Sequence, residues 1–144
     1  MPVKPIPENF PRVSPYLIVK DVAETIEFLK YVFDAKEREK MILLDGTINH
    51  AEVSIGDSVI MMGKASENYP PQPAMIYVYV ENTDAAYKRA LEKGAVSVME
   101  PADQFYGDRN AGAKDSNGIS WWMATHVEDV SQEEMQRRNA ARKK

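Results

Sequence analysis

The chain contains no cysteine. That absence excludes a disulfide framework, thiolate metal ligands and a cysteine nucleophile, and it suits a reducing compartment, so the expected location is the cytoplasm. The N-terminal stretch MPVKPIPENFPR lacks an apolar h-region. Its four prolines predict an extended arm, neither a signal peptide nor a membrane span, and no membrane partner is expected. A basic face is missing too. The net charge is −4, and the last nine residues, QRRNAARKK, carry five positive charges and no negative one, so residues 1–135 hold −9. An acidic body with a short basic tail argues against nucleic acid as a partner. The sequence also lacks a Gly-rich phosphate loop, an H-E-x-x-H pair, a nucleophile elbow and a Ser-His-Asp order.

What is present is a unit written twice. YLIVKDVAETIEFLKYVFDA and IYVYVENTDAAYKRALEKGA both read as a strand, a polar cap and an amphipathic helix, with the caps Asp21 and Asn82 61 residues apart. Asp21 with Glu24 resembles a capping box, and Ile26, Leu29, Lys30 and Phe33 form a stripe broken by one charge. In the second copy the stripe is Ala86, Tyr87, Ala90 and Leu91, and Gly94 can supply a left-handed C-terminal cap. Each copy continues into a hairpin, HAEVSIGDSVIMMG and AGAKDSNGISWWMA, whose turn dipeptides Gly56-Asp57 and Asn117-Gly118 repeat the offset of 61. The length of 144 residues predicts one α+β domain, 1–144. It is built from two βαβββ modules, 13–70 and 74–126, forming an eight-stranded curved sheet or open barrel with helices outside. Residues 131–144 add a C-terminal helix and basic tail, capped by Ser131 with Glu134 and placed to pack or to dimerise. A homodimer is the expected assembly.

Parity assigns faces. In HAEVSIG, Ala51, Val53 and Ile55 suit the helix-covered side, while His50, Glu52 and Ser54 take the other. A two-residue turn at Gly56-Asp57 pairs Glu52 with Met61, and the offset carries Met61 to Trp122 and Tyr16 to Tyr77. Trp121 is then core beneath the second helix. The helix-free side gathers Tyr16, Met61, Met75, Tyr77, Tyr79 and Trp122, expected to line a cavity shared by the modules and to bind a ligand, unless they merely fill space there.

The order of elements, with SPYLIVKD opening the first strand, HAEVSIGDSVIMM as the first hairpin and GDRNAGAKDSNGISWWMATHVEDVS closing the second, resembles the vicinal oxygen chelate superfamily, also called the glyoxalase/bleomycin resistance/dioxygenase fold. More narrowly it is similar to the PhnB-like branch, although Ser116 stands where the family usually has proline. Four metal ligands in metal-dependent members would fall here on Ser14, Met61, Met75 and Trp122, none of which is a usual ligand for a hard or borderline metal. The resemblance therefore implies metal-independent binding of a small planar or aromatic molecule, with no cofactor.

Two polar features remain. His50 and Glu52 share a face and are the candidate catalytic pair of an alternative lyase or isomerase-type enzyme, glyoxalase-like and with or without a nonstandard divalent metal; the other reading is a hydrogen-bonded structural histidine. In FYGDRNAG, Tyr106, Asp108 and Arg109 sit in a turn-rich stretch, where Arg109 either binds a ligand carboxylate or phosphate or pairs with Asp108 or Asp115. His126 is expected at the surface.

Overall fold

A computed structural model describes residues 3–142. It divides into two compact units, Met1–Pro73 and Ala74–Lys144, each holding one four-stranded sheet.

In the first unit, β1 (Tyr16–Val19) leads into α1 (Val22–Phe33), followed by β2 (Lys36–Ile42), β3 (Ile48–Ile55) and β4 (Ser58–Lys64). The strand order is β1-β4-β3-β2, with β1 parallel to β4 and the other pairs antiparallel. The Asp21 carboxylate accepts from the Glu24 amide and starts α1. Asp34, left-handed at φ 55°, ends it, a conformation that aspartate tolerates better than most residues. Between these caps Ile26, Leu29, Val32 and Phe33 are buried, and the helix packs on β3 and β4, whose Ala51, Val53 and Met62 are buried as well. The register pairs Ile55 with Ser58, Ser54 with Val59 and Glu52 with Met61, as parity and the turn require. At the edge, β2 opens with five consecutive charged residues, which discourage pairing with another chain. The N-terminal arm forms neither helix nor strand over its described residues, and the Phe10 ring lies under the Arg38 guanidinium at 4.5 Å.

The second unit repeats the order: β5 (Ala74–Tyr79), α2 (Thr83–Glu92), β6 (Val96–Asp103), β7 (Asp108–Lys114) and β8 (Ile119–His126), arranged β5-β8-β7-β6. Asn82 caps α2 through the Ala85 amide, and Gly94 follows its end at φ 94°. The stripe is thinner than in α1. Ala86 and Ala90 are fully buried, Leu91 is partly exposed, and the Tyr87 hydroxyl donates to Ser97 at the margin. Thr83 makes up part of the difference, since its hydroxyl donates to the Arg109 carbonyl and meets the Thr125 hydroxyl at 2.8 Å.

Opposite α2, Trp121 and Met123 are fully buried on β8. The Trp121 indole N–H donates to Asp115 at 2.9 Å, and the other Asp115 oxygen accepts from the Asn117 and Ile119 amides, so one carboxylate closes the hairpin and satisfies the core tryptophan.

α3 spans Gln132–Ala140, with the Ser131 hydroxyl capping it by accepting from the Glu134 amide, and buries none of its residues. Without an apolar stripe it is held by charge. Arg138 pairs with Glu134 and with both oxygens of Glu128 and donates to the Phe105 carbonyl, while Arg142 leaves the helix and stacks over the Phe105 ring at 4.4 Å. Arg137 and Arg138 hold the Glu134 carboxyl down at about 2. Lys143 and Lys144 of the basic tail lie outside the described residues. Among the described residues no helix is long and apolar enough to cross a membrane.

The two tryptophans give a direct test of face assignment. Trp121→Ala is expected to cost about 3–5 kcal/mol in urea unfolding, the range for deleting a buried large aromatic side chain. Trp122→Ala should cost clearly less, and equal losses would contradict the assignment.

Candidate functional site

Each sheet has one face under its helix and one free of it, and the polar chemistry collects on the free faces. In the second unit the rows across the sheet are Tyr77–Trp122–Gly112, Tyr79–Ala124–Asn110 and His126–Asp108. The Trp122 indole lies flat on Gly112, where a Cβ would come within 2.9 Å of the ring. Ala124 presents only a methyl group between Tyr79 and Asn110, and the phenols of β5 extend to β7. Both reach Asp108: Tyr77 donates to Oδ2 at 2.7 Å and Tyr79 to the same oxygen at 2.9 Å. Asp108 Oδ1 meets His126 Nδ1 at 3.0 Å, and His126 Nε2 meets Asp129 at 2.7 Å. Asn110 donates to the Tyr77 and Tyr106 hydroxyls and accepts from Gln104.

These contacts set the charges. Burial pushes the Asp108 carboxyl up, but the hydrogen bonds from His126, Tyr77 and Tyr79 outweigh it and hold the group below its ordinary value. Burial, with the bond to Asp108 adding to it, lifts the Tyr77 phenol above its usual range, so it remains a donor. Asp108 and then Asp129 raise His126. Both shifts favour the charged forms, a protonated His126 ring against a buried carboxylate.

On the first unit the rows are Tyr16–Met61–Glu52 and Ile18–Gly63–His50. The Tyr16 ring leans over Gly63 and its hydroxyl reaches His50 Nδ1 at 3.1 Å, while His50 Nε2 lies 3.3 Å from Glu52 Oε2. The remaining Glu52 oxygen is 4.0 Å from Arg38 Nε. Beside Glu52, a cleft of about 670 Å³ opens beneath the arm, lined by Phe10, Arg12, Ser14, Glu39 and Met61 among others.

Of the residues singled out from sequence, Tyr16, Met61, His50 and Glu52 share the free face of the first sheet, and Met75, Tyr77, Tyr79 and Trp122 share that of the second. Arg109 does not join them. It alternates with Asp108 and Asn110, so its side chain goes to the helix side, where Asp84 of α2 takes it bidentately at 2.7 and 3.0 Å and Asp103 adds 3.2 Å. Neither Asp108 nor Asp115 pairs with it. His126 is half exposed, as expected of a surface residue, yet it is tied to the buried Asp108. Asn110 and Gln104 went unread, although the polar alternation Asp108, Asn110 opposite Tyr77, Tyr79 was a usable signal.

This geometry can be set beside known proteins. The family model for the Glyoxalase/Bleomycin resistance protein/Dioxygenase superfamily matches residues 10–123. The chain belongs to that superfamily. An uncharacterized protein of Mycobacterium bovis, Mb0911c, is 31% identical over 137 residues, which is 88% of this chain and 90% of that protein. Among solved structures, TioX from Micromonospora sp. ML1 superposes with a TM-score of 0.66 at 22% identity over 80% of this chain and 99% of that one. The fosfomycin resistance protein FosX from Mesorhizobium loti gives 0.62 at 16% identity over 88% and 97%. At those identities the two structures speak for the fold alone.

The four positions that the resemblance assigns to metal ligands carry side chains of other chemistry. Ser14, Met61, Met75 and Trp122 offer a weak hydroxyl, two soft thioethers and an indole that does not ligate. Among the described residues no three His, Asp or Glu side chains are grouped to hold an ion.

The Asp108–His126 pair makes stability depend on pH in a defined window. A carboxylate whose folded value is depressed contributes above its unfolded value and loses that contribution as pH falls through the folded one; a histidine whose folded value is raised contributes below its unfolded value and loses it as pH rises through the folded one. The contribution is therefore complete between about pH 4 and pH 6.5 and declines on both sides. Urea midpoints for His126→Gln, measured from pH 3 to 9, should fall below wild type chiefly inside that window; a constant offset across the range would refute the linkage.

Proposed function

We propose that this glyoxalase-superfamily protein, of PhnB-like type, binds a small planar or aromatic molecule without a metal or cofactor, against the helix-free sheet faces. The observation that carries this reading is the exposure of Tyr79, Met75 and Tyr77, at 63%, 65% and 40%, on a sheet whose opposite face buries Trp121 and Met123 completely. Rings and a thioether left in water at this density make a surface suited to stacking, and such patches on soluble chains usually serve an interaction. Trp122 and the Asp108–Asn110 network stand beside them as polar and aromatic handles. On the first unit, the cleft beside Glu39, Glu52, Phe10 and Met61 offers the same mixture. The acidic body favours a cationic ligand. A homodimer is the assembly that belongs to this reading.

Thermal-shift titration with planar aromatic cations such as ethidium and acridine orange tests the proposal. A probe present at a hundred times its Kd should stabilise by about 2.7 kcal/mol and raise Tm by several degrees. Tyr79→Ala and Trp122→Ala should each weaken binding at least about fivefold, within the roughly 1–3 kcal/mol that a stacked ring contributes. No shift with any planar probe, or a shift indifferent to both substitutions, would sink the reading. Stoichiometric metal in protein purified without chelator would overturn its metal-free part.

A further inference from the structure

We infer that Tyr16, His50 and Glu52 form a proton relay whose reactive end is the Tyr16 phenol, a general acid–base centre for a small molecule with a labile proton, such as a C–H beside a carbonyl. This goes beyond binding, and it stands or falls independently of the stacking surface.

The hydrogen-bond roles follow from the partners. In the relay Glu52 Oε2 is the acceptor and His50 Nε2, 3.3 Å away, is the donor. Nδ1 then carries the lone pair, and the Tyr16 hydroxyl donates to it at 3.1 Å. Carboxylate, imidazole and hydroxyl thus stand in the order by which a hydroxyl is activated in hydrolase triads, with a phenol in the terminal place. Burial suits each role. Glu52 is buried and holds the ring, His50 is intermediate, and Tyr16 at the end of the chain is 50% exposed, where a ligand can touch it.

The proton accounting closes without a co-reactant. As the phenolic oxygen takes the ligand's proton, the phenol's own O–H bond breaks and an Nδ1–H bond forms, and the imidazolium is held by Glu52. The reverse movement returns a proton to the same atom of the ligand or to a neighbouring one.

The local backbone is built for the contact. Tyr16 reaches His50 only by passing over Gly63, where a Cβ would stand 2.7 Å from the hydroxyl oxygen. Gly63 lacks a left-handed backbone, so conformation does not demand glycine there; the passage of the phenol does. In the second unit the corresponding phenol, Tyr77, ends between Asp108 and Asn110, with its oxygen used as donor and acceptor. That phenol is engaged in structure. The Tyr16 phenol meets a base.

Labelling with an aryl sulfonyl fluoride, mapped by peptide mass spectrometry, reads the reactivity of the phenol without knowledge of the natural ligand. The chain has seven tyrosines, and exposed Tyr31 and Tyr69 serve as internal references. Tyr16 should react at least about tenfold faster than Tyr69, about 1.4 kcal/mol of activation. His50→Gln and Gly63→Ala should each bring it down to the Tyr69 rate, the second without removing any member of the relay. Equal rates for Tyr16 and Tyr69 in the wild type, or fast labelling that survives both substitutions, would overturn the relay. Should His50→Gln not fold, ¹⁵N NMR of the wild type decides: the relay requires His50 as the Nε2–H tautomer, and an Nδ1–H tautomer refutes it. A protein that fails to bind planar dyes but labels selectively at Tyr16 would lose the stacking surface and keep the relay.

Discussion

Both units are organised by one central strand that pairs on both edges while sending alternate side chains to opposite faces. On β8, Trp121 and Met123 go under α2 and Trp122, Ala124 and His126 go to the free face; on β4, Met62 goes under α1 while Met61 and Gly63 do not. Period-two alternation allows no compromise here, because a shift of one residue would exchange the two sets. The helix side supplies burial, and the free side is thereby released for polar and aromatic work. Gly63 on the central strand lets Tyr16 cross it diagonally to His50, and Tyr77 of the second unit likewise meets Asp108 two strands away.

The same device gives different chemistry in the two units. Around Asp108 each carboxylate oxygen is taken, the imidazole is bound at both nitrogens, and the phenols are fixed as donors. Such saturation rigidifies a face and leaves its rings as a stable platform. Around His50 the contacts are longer and the line ends in an exposed hydroxyl. A buried carboxylate thus fastens two phenols in one unit, and in the other it orients a base toward one phenol.

Much of this was legible in the sequence because it rests on local rules. Asp21 and Asn82 act as caps as their chemistry requires, the offset of 61 survives in the Tyr16–Tyr77 and Met61–Trp122 correspondences, and parity divides Trp121 from Trp122. Reading failed where a strand does not look like one. The first half of β7, DRN, has neither β-branched nor aromatic residues, so it passes for a turn ahead of the AGAK strand, and Arg109 loses the alternation that puts it beside Asp84. The start of α3 was legible in its Ser131 cap, but its anchors, Glu128 and Phe105, lie outside the helix itself and no capping signal displays them. The Asp108 network depends on contacts from β5 and β8 to β7, which linear spacing does not display.

The two hairpins are not the same length. Ser54 faces Val59 in the first and Lys114 faces Ser120 in the second, so four residues intervene in one and five in the other. The extra residue falls in the turn that Asp115 closes, outside the ladder. If the halves descend from one copied segment, this marks where such a chain can gain length: a residue inserted in β8 ahead of Trp121 would exchange the faces of Trp121 and Trp122, and one inserted in β7 would exchange those of Arg109 and Asp108, whereas one inserted at the tip leaves both faces intact. The hairpin tip is thus the place where the repeat can drift in length without losing either its core or its site.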